Sequence, residues 1–495
     1  MSKGVLPAIY TSTIPAWGND QKQVALAFLF LFGRAPDTGG LNYWIGQTPG
    51  TSGSKTFFDA LATINDQTAS VYLEPINAPN GAGAAFMQDI YVYVLGRALP
   101  DELDNPPSNP SGIDYWGDQI NNATEPTLGG RRANICNIIY NILAASPAPD
   151  DLAYNRFLML EAVVRAQLFY NRDLGYQTSE TVVRMVVGTT ASFDDAMSVV
   201  TDFVINNNTK PTSQWFKTYT QSSIASESVT AYYDNFSTNG TTIHKYLAWW
   251  NSSGDLLQAE AILPSGFGSV TSNTLRCVIS VHGGGWRGAT IERLQSYNVK
   301  LAGATAAPVV LSTAVRLSRY SYFAPSAYDD LVDFKTLVES SPSIGIFRIN
   351  TAKISYFGES SGGHLVLLLG SKSDVGRVFS LYAPVDLTGL SVSQYAAFQP
   401  YISSYTNETY GTIPAGSVST ASSPYSQWTS NRTTVFQLWH GDTDDVVSYA
   451  NATSFETLIN DSSKITVHTV SGEGHGFSLS TQASVVAAAN TMFNI

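Results

Sequence analysis

The spacing of apolar residues changes about halfway along this chain of 495 residues. In the first half, apolar residues recur at helical spacing within 130–145, 153–171 and 178–206. From about residue 241, short runs rich in β-branched and aromatic residues alternate with stretches at helical spacing. The pattern therefore predicts a multidomain protein, with a mostly α-helical domain followed by an α/β domain built on a doubly wound, mostly parallel sheet.

The bounds of these elements follow from the same pattern. The predicted strands are 258–263, 276–282, 308–315, 353–358, 377–383, 434–440 and 465–470. Two of the helices between them are predicted over 326–340 and 360–372. Residues 207–240 are polar and rich in Ser, Thr and Asn, which predicts a linker between a helical module over 1–206 and an α/β domain over 241–495.

The helical half contains a sequence pattern that occurs twice. Residues 28–45 and 91–116 each read as an aromatic-apolar run, Gly-Arg, a Pro-Asp turn, Gly, and then Tyr-Trp. This pattern resembles the repeat of a bacterial domain that accompanies surface-layer proteins and calcium-binding exoproteins. The resemblance implies an attachment or assembly module with surface-layer or virion partners, and it implies no chemistry.

Composition narrows the class of protein. Charged residues make up only 13% of the chain, about half the usual share, so uncharged polar residues cover much of the surface. Such a surface is typical of extracellular, cell-surface or virion proteins. The net charge of −12 and the lack of a basic cluster argue against a nucleic-acid partner. We also expect neither a membrane span nor a classical signal peptide, because the apolar runs are too short or misplaced.

The cysteine count limits metal binding. Cys136 and Cys277 are the two cysteines, and they are expected to be buried free thiols. Two cysteines far apart in the sequence exclude a metal site built on cysteine. We predict no metal and no cofactor.

A G-x-S-x-G motif lies between a predicted strand and a predicted helix. It spans residues 358–362 and reads Gly-Glu-Ser-Ser-Gly. Glycines at its ends allow the sharp turn that lifts the hydroxyl of Ser360 clear of the sheet, and the helix that follows favours negative charge at its start. The motif predicts Ser360 as a nucleophile, although alone it also fits an ordinary glycine-rich turn.

A second glycine-rich stretch, HGGGW at 282–286, follows another predicted strand. Three glycines weaken any regular element, but they let backbone N–H groups approach a ligand oxygen closely. We therefore predict an oxyanion hole formed by the N–H groups of Gly284, Gly285 and Ser361. Trp286 is predicted to contact the substrate.

Two later loops offer an acid and a base. The stretch HGDTDDVV contains Asp442, Asp444 and Asp445, and the stretch GEGHGF contains His475. The order Ser, Asp, His is that of α/β-hydrolases. Of six histidines, His475 alone lies in a Gly-flanked loop after the last predicted strand, which favours it as the base.

With HGGGW, GESSGGH, HGDTDDVV and GEGHGF in place, residues 241–495 resemble α/β-hydrolase esterases of the HGGGW type. That group joins hormone-sensitive-lipase-like esterases, bacterial carbohydrate and feruloyl esterases, and kynurenine formamidases. The resemblance implies a carboxylic ester hydrolase with a triad of Ser360, His475 and Asp444. The acid of the family stands fifth in H-G-x-x-D, but Asp445 replaces the usual next proline, which leaves the choice between these neighbours open.

These features favour a serine esterase that hydrolyses short-chain acyl esters, acetyl or aryl, on a surface polysaccharide. Such an esterase could itself be a component of a phage virion or tail. The segment 386–432 is rich in Ser, Tyr, Gln and Thr, which favours an acylated polysaccharide or a small ester over a long-chain lipid. Two alternatives remain. One is a structural or adhesive surface or virion protein with a vestigial hydrolase fold, and the other is an intracellular formamidase or amidase.

Overall fold

The chain divides into two compact units, Met1–Pro211 and Thr212–Ile495. The computed structural model describes residues 5–32, 34–47, 138, 151–186, 190–226, 242–388, 398–408 and 417–494. The second copy of the predicted repeat, 91–116, lies outside the described residues. So do Cys136 and the predicted helix 130–145 apart from Ile138, and the repeat therefore stays a prediction.

The described part of the first unit is helical. Its elements are α1 (Ile9–Ser12), α2 (Asn19–Phe32), α3 (Thr38–Gln47), α4 (Asp151–Tyr170), α5 (Tyr176–Arg184), α6 (Thr190–Val200) and a π-helix (Thr201–Ile205). The helix predicted over 153–171 corresponds to α4. The single helical stretch predicted over 178–206 is instead divided between α5, α6 and the π-helix.

A buried arginine ties the start of this unit to α4. The guanidinium of Arg165 donates hydrogen bonds to the backbone carbonyls of Tyr10, Ile14 and Pro15. The side chain is only 7% exposed, so these carbonyls satisfy donors that would otherwise be buried without acceptors. The segment after α1 is thereby held against a helix that follows far along the sequence.

The second unit is built on a nine-stranded mixed sheet within the described residues. The strands are β1 (Gln214–Trp215), β2 (Thr242–Trp250), β3 (Leu256–Pro264), β4 (Leu275–Val281), β5 (Val309–Thr313), β6 (Ile349–Glu359), β7 (Arg377–Leu381), β8 (Val435–Gly441) and β9 (Ile465–Val470). Their order is β1-β2-β3-β5-β4-β6-β7-β8-β9. Pairing is antiparallel from β1 to β5 along this order, and parallel from β5 to β9.

Helices connect these strands. They are α7 (Gln221–Ser226), α8 (Gln295–Ala302), α9 (Ser326–Val338), α10 (Ser341–Phe347), α11 (Ser360–Lys372), α12 (Gln399–Thr406), α13 (Val418–Ser422), α14 (Pro424–Gln427), α15 (Ala450–Ile459) and α16 (Leu479–Phe493), with 3₁₀ turns at Phe267–Ser269, Ile291–Leu294 and Ser318–Tyr320. Large apolar clusters pack on the sheet. The alternation, order and mixed pairing are those of an α/β-hydrolase-like sheet.

The predicted linker is partly structured. Residues of β1 and α7, which the sequence placed in a linker over 207–240, belong to the second unit, where β1 pairs with β2. Trp215 explains the difference, because it is 8% exposed and its indole N–H donates to Ser343 Oγ at 2.9 Å. One aromatic anchor in a polar stretch is enough to fix the segment to the core, and average composition does not reveal it.

The parallel half of the sheet determines where loops meet. Strands β4, β6, β8 and β9 run parallel in one sheet, so their carboxyl ends lie at the same edge. The segments that follow these ends are HGGGW, the Ser360 turn, the aspartate loop and the His475 loop. In open α/β sheets, this edge is where ligands bind.

Within the described ranges, no helix is both long enough and apolar enough to cross a membrane.

Candidate active site

Ser360 stands at a strained turn between β6 and α11. Its φ is +48°, which lies in the left-handed region that a residue with a side chain rarely adopts. The flanking glycines permit the turn: an ideal Cβ on Gly358 would lie 2.5 Å from the carbonyl oxygen of Gly362, and one on Gly362 would lie 2.1 Å from that of Val281. Larger residues at either position would force the strand and the helix apart.

Three side chains from different loops form a hydrogen-bonded chain. Ser360 Oγ lies 3.0 Å from His475 Nε2, and His475 Nδ1 lies 2.9 Å from Asp444 Oδ2. A carboxylate only accepts hydrogen bonds, so Nδ1 carries the proton of the neutral ring. Nε2 is then free to accept the hydrogen of the serine hydroxyl, as a general base must.

The carboxylate of Asp444 is fully enclosed and fully bonded. Oδ1 accepts the N–H groups of Val446 and Val447 at 2.9 and 2.8 Å, and the side chain has 0% exposure. His440 Nε2 donates to the carbonyl of Val447 at 2.7 Å and lies 3.3 Å from Asp444 Oδ2. Burial by itself would raise the pKa of Asp444, but the hydrogen bonds and charges of His440 and His475 outweigh burial and hold that pKa well below its usual range.

The neighbouring aspartates are placed differently. Asp442 Oδ1 accepts the N–H of Gly472 at 2.7 Å, which ties the aspartate loop to the loop that carries His475. Asp445 is exposed to solvent. Among the described residues, Asp444 is therefore the aspartate whose carboxylate contacts His475.

The HGGG segment passes beside the serine. An ideal Cβ on Gly283 would lie 3.2 Å from Ser360 Cβ. Gly284 and Gly285 have φ of +115° and +60°, and side chains there would collide with the backbone of Gly288 and the ring of Tyr401. Within the described residues, no hydrogen bond outside the helices and strands uses the N–H of Gly284 or Gly285. Ser361 lies in the first turn of α11, where backbone N–H groups have no partner within the helix.

Trp286 does not occupy the place that the sequence predicted for it. It is 2% exposed and stacks on Tyr405 with ring centroids 4.5 Å apart, while its other neighbours are His364 and Phe398 at 4.9 and 5.5 Å. This aromatic cluster encloses the indole, which argues against a stacking contact with substrate. Local sequence could not show whether a tryptophan after the glycines turns inward or outward.

The aromatic ring that does lie beside the glycine loop is that of Tyr401. It belongs to α12, within the segment 386–432, and its ring lies against Gly285. The ring is half-buried, and the guanidinium of Arg287 lies 5.7 Å from its centroid. Tyr401 therefore places a polar-edged aromatic ring beside the glycine loop.

Two further residues adjoin the site without having been singled out by sequence. Glu359 precedes Ser360 and is buried, and its carboxylate oxygens bind Arg293 and Tyr382. Tyr382 follows β7, and its ring centroid lies 4.9 Å from that of His475. The sequence does contain a signal for each residue. Glu359 stands within the G-x-S-x-G motif, and Tyr382 stands at the carboxyl end of a predicted parallel strand.

Metal ligands and reactive thiols do not enter this arrangement. Among the described residues, no group of three or more His, Cys, Asp or Glu side chains is placed to hold a metal ion. Cys277 is a free, buried thiol, and burial raises its pKa.

Comparison with known proteins finds a hydrolase domain in the C-terminal half. Residues 267–459 match the model of the BD-FAE family, a hydrolase domain of esterase or α/β-hydrolase type. The C-terminal half therefore carries an esterase-type hydrolase domain, as its motifs predicted. No comparison supports the predicted N-terminal repeat, and a search of curated proteins finds no match.

Solved structures that match the C-terminal half of this chain include three esterases. A hyperthermophilic esterase from the archaeon Pyrobaculum calidifontis is 18% identical, covers 52% of this chain and 86% of its own, and gives a TM-score of 0.44. A truncated carbohydrate esterase from gut microbiota is 16% identical, covers 52% and 99%, and gives 0.40. Carboxyl esterase 2 from the fungus Tuber melanosporum is 16% identical, covers 52% and 88%, and gives 0.42.

Proposed function

We propose that this protein is a serine esterase in which Ser360, His475 and Asp444 hydrolyse short-chain acyl esters, acetyl or aryl, on a surface polysaccharide. The hydrogen-bonded chain from Ser360 Oγ through the imidazole to Asp444 Oδ2 carries the proposal. The buried, ionised carboxylate of Asp444 accepts from Nδ1–H, which leaves the lone pair of Nε2 facing the serine, and it stabilises the imidazolium that forms during attack.

The reaction follows in two halves. Ser360 Oγ attacks the ester carbonyl while its proton moves to His475 Nε2, and collapse of the tetrahedral intermediate returns that proton to the leaving alcohol. Water then repeats these steps on the acyl-serine and releases the acid. The N–H groups of Gly284, Gly285 and Ser361 supply donors for the oxyanion in both halves.

The surroundings of the site favour a small acyl group on a ring-bearing alcohol. Tyr401 places an aromatic ring beside Gly285, and a flat aromatic surface can stack on a sugar or aryl face. The segment 386–432 that supplies this ring is polar, and a polar wall gains little from a long aliphatic chain.

Location and partners belong to the same proposal. A surface poor in charge and rich in Ser, Thr and Asn supports work outside a cell, on a cell surface or on a phage virion. The helical module would then attach the esterase domain to surface-layer or virion partners. A polysaccharide substrate suits such a place, because it is itself displayed at surfaces.

Covalent labelling tests the nucleophile. A serine-directed phosphonate should add one adduct to Ser360, and Ser360→Ala should abolish both the adduct and esterase activity. Ser361→Ala is the matched control, because it keeps the backbone N–H and should still be labelled. An adduct on another serine, with Ser360 unmodified, would overturn the assignment.

Substrate screening tests the rest. Release of acetate from acetylated surface polysaccharides, beside p-nitrophenyl acetate and butyrate as soluble references, should exceed hydrolysis of an aryl formamide. Preference for the formamide would instead identify an amidase. A folded protein that is neither labelled nor active would be a structural component with a vestigial site.

A further inference from the structure

We propose that Glu359 and Tyr382 are a pair of positioning residues that hold the glycine loop and His475 in the arrangement the reaction needs. The inference rests on the proposed esterase function. Glu359 is 4% exposed and both its carboxylate oxygens are bonded. Oε1 accepts from Arg293 Nε at 2.6 Å and from the N–H of Gly283 at 3.3 Å, and Oε2 accepts from the hydroxyl of Tyr382 at 2.6 Å.

One side of this carboxylate supports the glycine loop. Glu359 is the residue before Ser360, and Gly283 is the residue before Gly284, so the bond joins the two segments directly upstream of the nucleophile and of the loop donors. The fit is close, because an ideal Cβ on Gly283 would lie 3.0 Å from Glu359 Oε1. Oxyanion donors act at about 2.7–3.1 Å, so a loop that shifts by a fraction of that distance loses stabilisation of the intermediate.

The other side supports the base. Tyr382 follows β7 with a φ of +36°, and its N–H donates to the carbonyl of Trp439 at 2.7 Å. The ring is 3% exposed and packs at 63° to the imidazole of His475 and at 86° to Phe477, with both centroids at 4.9 Å. A non-glycine residue persists in this backbone region only where its surroundings hold it there.

The polarity of the pair is consistent with this role. Burial, followed by the nearby Glu359 carboxylate, raises the pKa of the Tyr382 hydroxyl well above its usual value, so the hydroxyl stays protonated and donates to Oε2. Arg293 lies against the same carboxylate and offsets its charge within the site. His475 itself lies between Gly474 and Gly476 in sequence, so contacts with Asp444 and Tyr382 must orient the ring.

Three variants test the pair. Glu359→Gln keeps the shape of the side chain but removes its charge, and Tyr382→Phe keeps the ring but removes the hydroxyl. With p-nitrophenyl acetate, each is expected to lower kcat by about tenfold or more while KM stays within about twofold, because the lost order matters in the transition state. The double variant should be no slower than the slower single variant, because both substitutions weaken the one hydrogen bond that joins the two residues.

Tyr297→Phe is the matched control. Tyr297 is a buried tyrosine on the same face of the sheet, 4% exposed, and its hydroxyl has no hydrogen-bond partner among the described residues. Its kcat should stay near that of the parent protein. The rate of phosphonate labelling at Ser360 should fall in Glu359→Gln and Tyr382→Phe and remain unchanged in Tyr297→Phe.

The outcomes separate this inference from the proposed function. If Ser360 is labelled normally and both pair variants keep the parent kcat while folded, the positioning role is wrong and the esterase proposal stands. Fully additive losses of kcat in the double variant would show that the two residues act separately and not as a pair. A lower thermal midpoint with unchanged kcat would reduce them to a structural contact. Failure to label Ser360 in the unaltered protein would contradict the proposed function itself.

Discussion

At the scale of single residues, the identity of the acid rests on which carboxylate is enclosed. Asp444 receives two backbone N–H groups on one oxygen and faces two histidines with the other, whereas Asp445 is exposed. Sequence spacing alone left these neighbours open. The turn after β8 separates them, because it points consecutive side chains in different directions.

Asp444→Asn should therefore lower kcat by about 10⁴, since an amide no longer holds the imidazole in the reactive tautomer. Asp445→Asn, which alters an exposed neighbour by the same chemistry, should change kcat little. The check is kcat on p-nitrophenyl acetate for both variants. Full activity in Asp444→Asn together with loss in Asp445→Asn would transfer the role.

Another residue makes stability depend on pH. Complete burial lowers the pKa of His364 to about 3, although its Nε2–H donates to the carbonyl of Ser422 at 2.7 Å. The unfolded chain binds a proton at this histidine below its ordinary pKa of about 6.5, while the folded chain does not until about 3. Stability should consequently fall as pH decreases through this window, by at most about 1.4 kcal/mol per pH unit for this one group.

His364→Gln removes the titration and keeps an amide that can donate to Ser422. The parent protein should therefore be more stable than the variant at pH 7, and its advantage should shrink at pH 5. Urea unfolding at both pH values measures the difference. An advantage that is equal at the two values would show that His364 does not titrate in this window.

At the scale of elements, close approach explains the glycines of the nucleophile turn. An ideal Cβ on Gly362 would lie 2.1 Å from the carbonyl oxygen of Val281 and 2.4 Å from that of His282, so α11 begins in contact with the end of β4. Both contacts involve backbone, which cannot rotate out of the way. The same packing brings the HGGG segment beside Ser360.

Gly362→Ala should then destabilise the protein by about 1–3 kcal/mol and reduce kcat as the turn moves. Gly345→Ala is the matched control, because Gly345 lies in α10 with nothing within 4 Å of an added Cβ. The control should leave kcat unchanged and leave stability equal or slightly higher, as alanine favours helix over glycine. Thermal unfolding and kcat together check both expectations.

Much of this unit could be predicted from sequence, and the exceptions have physical reasons. The strand 465–470 and the helix 360–372 have the bounds that their patterns predicted. The strand β2 was missed, because burial on both faces of its second half removes the alternation that marks a half-buried strand. The contact of Glu359 with Tyr382 depends on the pairing of β6 with β7, in which Glu359 lies opposite Leu381, and no local pattern encodes that register.

The polar composition of the segment 386–432 predicts a preference for short acyl groups. Each buried methylene stabilises a bound chain by about 0.8 kcal/mol only where apolar groups surround it. Tyr401 and Arg287, which lie beside the glycine loop, are aromatic and charged instead. We expect kcat/KM to fall from acetyl and butyryl to octanoyl p-nitrophenyl esters. Fastest cleavage of a decanoyl ester would require an aliphatic pocket and would favour a lipase.

At the scale of the whole molecule, the boundary between the two units lies at Pro211 and Thr212. The proposed triad and oxyanion donors all fall within the second unit. The first residues of that unit are part of its core, because Trp215 packs against Phe334 and Phe347 with centroids 6.0 and 5.7 Å apart. A division of the chain must therefore keep β1 with the esterase domain.

A fragment over 212–495 should accordingly fold and keep the kcat of the full chain on p-nitrophenyl acetate. A fragment over 230–495 loses Trp215 together with β1 and α7, and removal of one buried tryptophan typically costs about 3–5 kcal/mol. It should unfold at a clearly lower temperature, as circular dichroism would record. If the longer fragment folds but is inactive on this soluble ester, the helical unit contributes to the chemistry, and its proposed role as an attachment module alone would have to be abandoned.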